Sequence, residues 1–353
     1  MNKPGIPTIV LGGSGYVAGE LLRLLIGHPQ FSLIGVMSES RAGERVCDTF
    51  PQLQSSLGDM IFTTRKDLQQ IMGPGPLALF SAAPHGASAA LIAEFVEQAK
   101  ARDCELSVVD VSADFRFSDR DAYARVYGTE HGAPELLGDF TSALPEHLPR
   151  GSTPHVGHPG CFATTLLLAC VPLMQLGIST PDLYATGITG STGSGRTPGP
   201  GTHHPERHSN LFAYKALAHR HAPEVVEICQ SLTGQRPRLH FVPHSGPFAR
   251  GIHLTVLAKL QREMTAAALR GALADFYSKA EFVSVREGMP RLKDVVGSNY
   301  CHIGVSVEDD TAAVFVVIDN LIKGAAGGAI QWMNRLHGLP ENTGLTMPAI
   351  GWT

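Results

Sequence analysis

The chain has 353 residues, of which 43% are hydrophobic and 17% charged, with a formal net charge of -4. That length supports two cored domains, that composition excludes a disordered chain, and that charge gives no global argument for binding nucleic acid or membrane. Six cysteines, at 47, 104, 161, 170, 229 and 301, form no CxxC pair, and no apolar run is long enough to span a bilayer, so a reduced, cytoplasmic protein is expected.

Residues 8–11 (Thr-Ile-Val-Leu) form a β-prone run that ends in Gly12-Gly13-Ser14-Gly15-Tyr16, and a helical pattern follows at 20–25. Strand, glycine turn and helix are the setting of a dinucleotide-binding loop, where the backbone approaches a pyrophosphate at a helix N-terminus. The next strand, 31–37, ends in Ser38-Glu39-Ser40-Arg41. An acidic residue there reads a ribose 2′-hydroxyl, whereas an arginine among hydroxyls suits a 2′-phosphate. Ser38, Ser40 and Arg41 therefore point to NADP, the alternative being that Arg41 is a solvated loop residue. A third strand, 77–83, closes in Pro84-His85-Gly86, with Pro84 placed at the cofactor crevice that strand ends line. A helix over 87–99 and a strand over 106–111 continue the alternation, which predicts a Rossmann-type, doubly wound parallel α/β sheet. Residues 123–154 read as turn-rich, and the domain boundary is placed near Val156.

The segment His158-Pro159-Gly160-Cys161 then delivers a cysteine to an apolar run over 166–171 with the character of a buried helix. A cysteine at a helix N-terminus is favoured as a thiolate, which makes Cys161 a candidate nucleophile. Alternatively, Cys161 is a small apolar residue at a packed helix start. A strand over 183–189 leads to Gly190-Ser191-Thr192-Gly193-Ser194-Gly195-Arg196 and a long Gly-, Pro- and His-rich loop of the kind that carries function. A helix follows Pro223-Glu224, and strands are expected at 240–243, 251–260 and 314–318. The second domain thus reads as α+β with a mixed sheet. A helix over 323–333 starts with small residues that allow close approach, and its return to the first domain makes that domain discontinuous. The expected division is a dinucleotide-binding domain at 1–156 plus 322–353 and a catalytic, substrate-binding domain at 157–321.

Many short words recur in order: Gly-Gly-Ser-Gly-Tyr at 12–16, Pro-His-Gly at 84–86, Asp-Val-Ser-Ala-Asp-Phe-Arg at 110–116, Pro-Gly-Cys at 159–161 and Gly-Ser-Gly-Arg at 193–196. His-Arg-His at 219–221, Pro243-His244, Arg250-Gly251-Ile252 and Asn-Leu-Ile-Lys-Gly at 320–324 continue the series. Together they resemble the N-acetyl-γ-glutamyl-phosphate reductase family, and the second domain is accordingly expected to be semialdehyde-dehydrogenase-like. The resemblance implies NADPH-dependent reductive dephosphorylation of an acyl phosphate through a thioester on Cys161, with His219 as general acid/base. It also implies cofactor contacts at Gly12, Ser14, Gly15, Tyr16, Gly195 and Asn320. Its substrate contacts fall on Arg116, Arg196, His244 and Arg250, the arginines suiting a carboxylate or phosphate. A homodimer or homotetramer is implied as well.

Two departures stand out. His158 replaces the asparagine usual in that family, and Ala18 a common glycine. The loop Thr-His-His-Pro-Glu-Arg-His at 202–208 instead resembles the sister reductase of the carrier-protein lysine pathway, which implies an acidic carrier protein as partner, whereas residues 243–248 look like the arginine type. Zinc at His203, His204, Glu206 and His208 has no matched ligand spacing, so no metal is expected. A non-catalytic dinucleotide sensor remains the alternative of another class, against which Cys161 and His219 together argue.

Overall fold

A computed structural model of the chain describes residues 5–148 and 153–352. Residues 1–4, 149–152 and 353 of the expected domains lie outside them. Two compact units are present: Met1–Ala143, Arg150–His158 and Ala326–Leu345 make the first, and Leu144–Pro149, Pro159–Ala325 and Thr346–Thr353 the second. Among the described residues, these units depart from the expected division at 144–148, 157–158, 322–325 and 346–352.

The first unit is built on six parallel strands, β1 (Ile6–Leu11), β2 (Phe31–Val36), β3 (Gly75–Ser81), β4 (Cys104–Asp110), β5 (Phe140–Thr141) and β6 (His155–Gly157), in the order β2-β1-β3-β4-β6-β5. The central strands read as continuous apolar runs because both faces are covered. Ile9, Leu11, Leu77, Leu79 and Val108 pack with Ile92 and Phe95 of the helix Ser88–Ala101. The helix Tyr16–Ile26 buries Leu21, Leu22, Leu24 and Leu25, while Arg23 and Glu20 pair along its outer side at 2.9 Å. The helix Gly327–Leu336 belongs to this unit and contacts both β4 and the helix Tyr16–Ile26. Its Trp332 indole donates to the Ala143 carbonyl at 2.9 Å. Sequence order reverses between β1 and β3, which is where open sheets of this kind bind ligands.

The second unit has a seven-stranded mixed sheet of β7 (Ser179–Thr189), β8 (Phe212–Ala213), β9 (Arg238–Ser245), β10 (Ile252–Leu260), β11 (Val283–Val285), β12 (Cys301–Glu308) and β13 (Thr311–Ile318). Its order is β11-β12-β13-β10-β7-β9-β8, with β7–β9 and β11–β12 parallel and the other pairs antiparallel. In β10, Ile252, Leu254, Val256, Ala258 and Leu260 alternate inward. They meet the helix Cys161–Gln175, which is buried from Phe162 to Met174. This helix is apolar all round because the sheet covers one side and the helices His221–Thr233 and Ala266–Phe276 pack around the rest of the same core. Among the described residues, no helix is long and apolar enough to cross a membrane.

Candidate active site

Cys161 is the first residue of its helix, as the turn and apolar run predict, with Gly160 in extended conformation before it. The turn is anchored by a residue that sequence reading passed over. Glu224, fully buried in the first turn of the helix His221–Thr233, accepts the Gly160 N–H at 2.7 Å. The only available signal was its place after Pro223 in the word that contains His219. A second constraint comes from the π-helical turn Ile322–Ala326. A Cβ on Gly324 would lie 2.8 Å from the Cys161 Cβ and 3.1 Å from its Cα, so only glycine fits there without displacing the cysteine.

His219 is 7% exposed, and its ring packs against Phe162, Tyr214, Phe241 and His221. Its Nδ1 accepts the His221 N–H at 3.2 Å, which puts the proton of the neutral ring on Nε2. Burial pushes this imidazole down to about 4, helped by the charges of Arg220 and Lys215. Tyr214 is held protonated by burial and then by the neighbouring Cys161 sulfur. Tyr214 thus links the two candidates: its ring lies 5.7 Å from that of His219, and its hydroxyl feels the Cys161 sulfur.

The expected substrate residues fall into different settings. Arg250 points Nε and Nη2 at Asp319, at 3.1 and 3.3 Å, so its fork is engaged within the protein. Asp319 is fully buried and also accepts the N–H groups of Gly297, Leu321 and Ile322. His244 lies on β9 with Nδ1 3.3 Å from the Thr186 hydroxyl. Arg196 is exposed beside Gly195. Arg116 belongs to the first unit and is 7% exposed, donating to the carbonyls of His158 and Val111 at 2.9 Å each. It clamps backbone there, and His158 itself is fully buried, its N–H on the Asp110 carbonyl. Asn320, expected at the cofactor, is 2% exposed and staples the second unit: it accepts from Gly251 N–H at 2.7 Å and donates to the Thr192 hydroxyl at 3.1 Å.

In the first unit, Gly12 has φ +69°, and a Cβ there would come within 2.4 Å of the Ala83 backbone. That contact seats the glycine loop after β1 against the end of β3, while nothing lies within 4 Å of a Cβ placed on Gly15. Open space at a helix start with no side-chain cap fits a pyrophosphate. Pro84 is exposed, and its loop is held by Asp114, which accepts from Gly86 N–H at 2.7 Å, Ala89 N–H at 2.9 Å and the Tyr123 hydroxyl at 2.9 Å. Ser38 is buried with its hydroxyl 3.5 Å from that of Ser40, and Arg41 pairs with Glu44 at 2.9 Å in a half-exposed contact. Glu39 accepts the Arg65 N–H at 2.9 Å, so this carboxylate caps a helix. Among the described residues, no group of three His, Cys, Asp or Glu side chains is placed to hold a metal ion, although the His204 and His208 rings lie 5.2 Å apart.

The NAD binding domain model of semialdehyde dehydrogenases matches residues 8–150, and the semialdehyde dehydrogenase dimerisation domain model matches 161–320. Among solved structures, aspartate semialdehyde dehydrogenase II from Vibrio cholerae superposes with a TM-score of 0.71 at 14% identity, over 95% of this chain and 99% of that one. The Candida albicans aspartate semialdehyde dehydrogenase with NADP gives 0.68 at 17% identity, over 96% and 100%. Fold and site thus define an oxidoreductase of the semialdehyde dehydrogenase class. Relatives narrow this further. The N-acetyl-gamma-glutamyl-phosphate reductase of Acidithiobacillus ferrooxidans is 36% identical over 97% of this chain and 98% of its own length. That of Symbiobacterium thermophilum is 38% identical over 95% and 96%. A LysW-linked L-2-aminoadipate 6-phosphate reductase of Deinococcus radiodurans is 37% identical over 95% of each chain. The chain belongs to the N-acetyl-gamma-glutamyl-phosphate reductase family.

Proposed function

We propose that this protein reduces N-acetyl-γ-glutamyl phosphate to N-acetylglutamate semialdehyde in arginine biosynthesis, with NADPH as reductant. The observation that carries this is Cys161 at a helix start, fixed by Glu224 below its turn and by Gly324 at its Cβ, with a buried neutral His219 packed against the next residue, Phe162. The Cys161 thiolate attacks the γ-carbonyl carbon, and phosphate leaves with the bonding pair, giving a thioester. NADPH, when bound, supplies the hydride that reduces it. His219, neutral with its proton on Nε2, donates a hydrogen bond to the oxygen that gains charge, and the tetrahedral oxyanion formed by hydride addition collapses to aldehyde and thiolate. Glycine loop, Ser38, Ser40 and Arg41 hold the cofactor; the preference for NADP rests on Arg41 beside two hydroxyls and on Glu39 being engaged by Arg65. The exposed Tyr184 and Leu257, paired across β7 and β10 on the outer face of the second sheet, support a homodimer or homotetramer, which light scattering of the purified protein would test.

The carrier-linked reading of lysine biosynthesis is favoured by one observation, the Deinococcus relative whose 37% identity falls between the 36% and 38% of the two arginine-type relatives above. It requires an acidic carrier protein. The deciding assay is phosphate-dependent reduction of NADP by N-acetylglutamate semialdehyde. Wild type is expected to turn over and Cys161→Ser to lose at least about a thousandfold, since no other thiol replaces the nucleophile. Turnover that survives in Cys161→Ser rules out the thioester, and cofactor binding without turnover in wild type moves the substrate to the carrier-bound compound or marks a sensor. Arg41→Ala should weaken NADPH at least about tenfold relative to NADH; equal weakening of both removes Arg41 as the 2′-phosphate ligand.

A further inference from the structure

The loop between β7 and β8 holds a charged group that the proposed chemistry has not used. Arg207 is 8% exposed, and its guanidinium lies 5.9 Å from the centre of the Phe212 ring. Nη1 donates to the Asn210 carbonyl at 3.1 Å, whereas Nε and Nη2 are buried with no hydrogen-bond partner. These two atoms share one edge of the guanidinium, the edge that grips both oxygens of a carboxylate side-on. Leaving such donors buried and unmet costs more than a typical hydrogen bond returns, so the site favours an anion. Among the described residues no other arginine has this pair buried and unmet. Arg250 has turned the same edge to Asp319, and Arg116 is clamped on carbonyls.

Position indicates which anion. Phe212 pairs with Ser245, Ala213 pairs with His244, and Tyr214 N–H continues to the Pro243 carbonyl at 3.1 Å. Residues two apart in an extended strand share a face and stand about 7 Å apart. Phe212 under Arg207 therefore leads to Tyr214, whose ring lies 5.7 Å from that of His219. Three non-glycine residues of this stretch, Ser209, Lys215 and Leu217, have φ of +54°, +45° and +56°, strain of a kind that gathers at binding loops.

We propose that Arg207 forms a carboxylate subsite that receives the end of the substrate remote from the reacting carbon. This rests on the acyl-phosphate reading, in which the phosphoryl end is occupied at Cys161 and the carboxylate lies a few carbons away. The subsite then selects acyl phosphates that carry a distal carboxylate.

The test is calorimetric binding of glutarate and of inorganic phosphate to the NADP-loaded protein, in wild type, Arg207→Lys, Arg207→Gln and Phe212→Leu. Glutarate affinity is expected to fall at least tenfold in both Arg207 variants, because lysine keeps the charge but not the two-donor edge, and to stay within a few fold in Phe212→Leu. Phosphate affinity should hold throughout. Loss of phosphate instead of glutarate binding overturns the carboxylate assignment. An unchanged glutarate affinity, no glutarate binding by wild type, or an equal loss in Phe212→Leu overturns the subsite. Turnover of N-acetylglutamate semialdehyde, measured separately, decides the acyl-phosphate reading, and its absence alongside Arg207-dependent glutarate binding leaves the subsite standing.

Discussion

Cys161 meets Gly324 at a distance that only glycine tolerates: an added methyl would sit 2.8 Å from its Cβ. Overpacking of this sort costs about 1–3 kcal/mol and shifts the groups it touches. On the proposed chemistry, Gly324→Ala displaces the nucleophile relative to its electrophile, and small misplacements cost large factors in rate. Turnover is expected to fall at least about tenfold while NADP affinity stays unchanged, since the glycine loop of the first unit is untouched. Steady-state kinetics beside a cofactor titration reads both, and unchanged turnover would show that the close approach does not govern the sulfur. Cys161 and His219 stood out in the sequence because each sits in a short local word. The Arg250–Asp319 pair did not, because its partners are 69 residues apart and share no pattern. For the same reason the sequence did not show that Arg116 and Asn320, expected at ligands, also hold the chain together, one on two carbonyls and the other on Gly251 and Thr192.

The helix that presents Cys161 contains Pro172, which has no N–H to give the carbonyl four residues earlier. That carbonyl, on Leu168, is satisfied from outside: the Tyr277 hydroxyl donates to it at 2.8 Å and lies 2.9 Å from His147 Nε2. Since the hydroxyl proton is committed to Leu168, His147 is the donor of the second bond. Tyr277→Phe thus orphans a buried carbonyl and a buried imidazole N–H, at a cost of about 1–3 kcal/mol for each group. Thermal unfolding should come several degrees lower, with turnover at 25 °C changed less than threefold, because the lesion lies two helical turns from Cys161. A midpoint equal to wild type would mean that another donor covers the kink. Long strands and helices were legible through period and punctuation, as at β1, β10 and the Cys161 helix. The helix Arg120–Tyr127 was not, since Tyr123 is its only buried residue. The strands β5 and β6, with two and three residues, are too short for any period to show.

Among the described residues, histidines whose proton affinity burial lowers outnumber carboxylic acids whose affinity it raises. Burial pushes His147, His155 and His219 each down to about 4, from an ordinary value of 6.5. Unfolded chains bind protons at these rings below pH 6.5, whereas the fold refuses them until about pH 4, so stability is fully present above 6.5 and falls as pH drops through that window. Asp110 acts in the opposite sense. Burial raises its carboxyl to about 6, so the fold takes up a proton there while the unfolded chain waits until nearer 3.8, and acidification across that interval stabilises. A tenfold change in proton affinity is worth about 1.4 kcal/mol, and three rings against one carboxyl leave a net loss on the order of a few kcal/mol by pH 4.5. His155 lies in the first unit and His147 and His219 in the second, so both units weaken. Scanning calorimetry from pH 7.5 to 4.5 should show the unfolding temperature drop by at least about 5 °C. His147→Leu lowers stability at neutral pH by losing its bond to Tyr277, but its slope with pH should be shallower than that of wild type. The slope is the readout: an equal slope in both proteins would mean that His147 takes up its proton in the folded state as readily as in the unfolded one, and that burial does not hold the ring neutral.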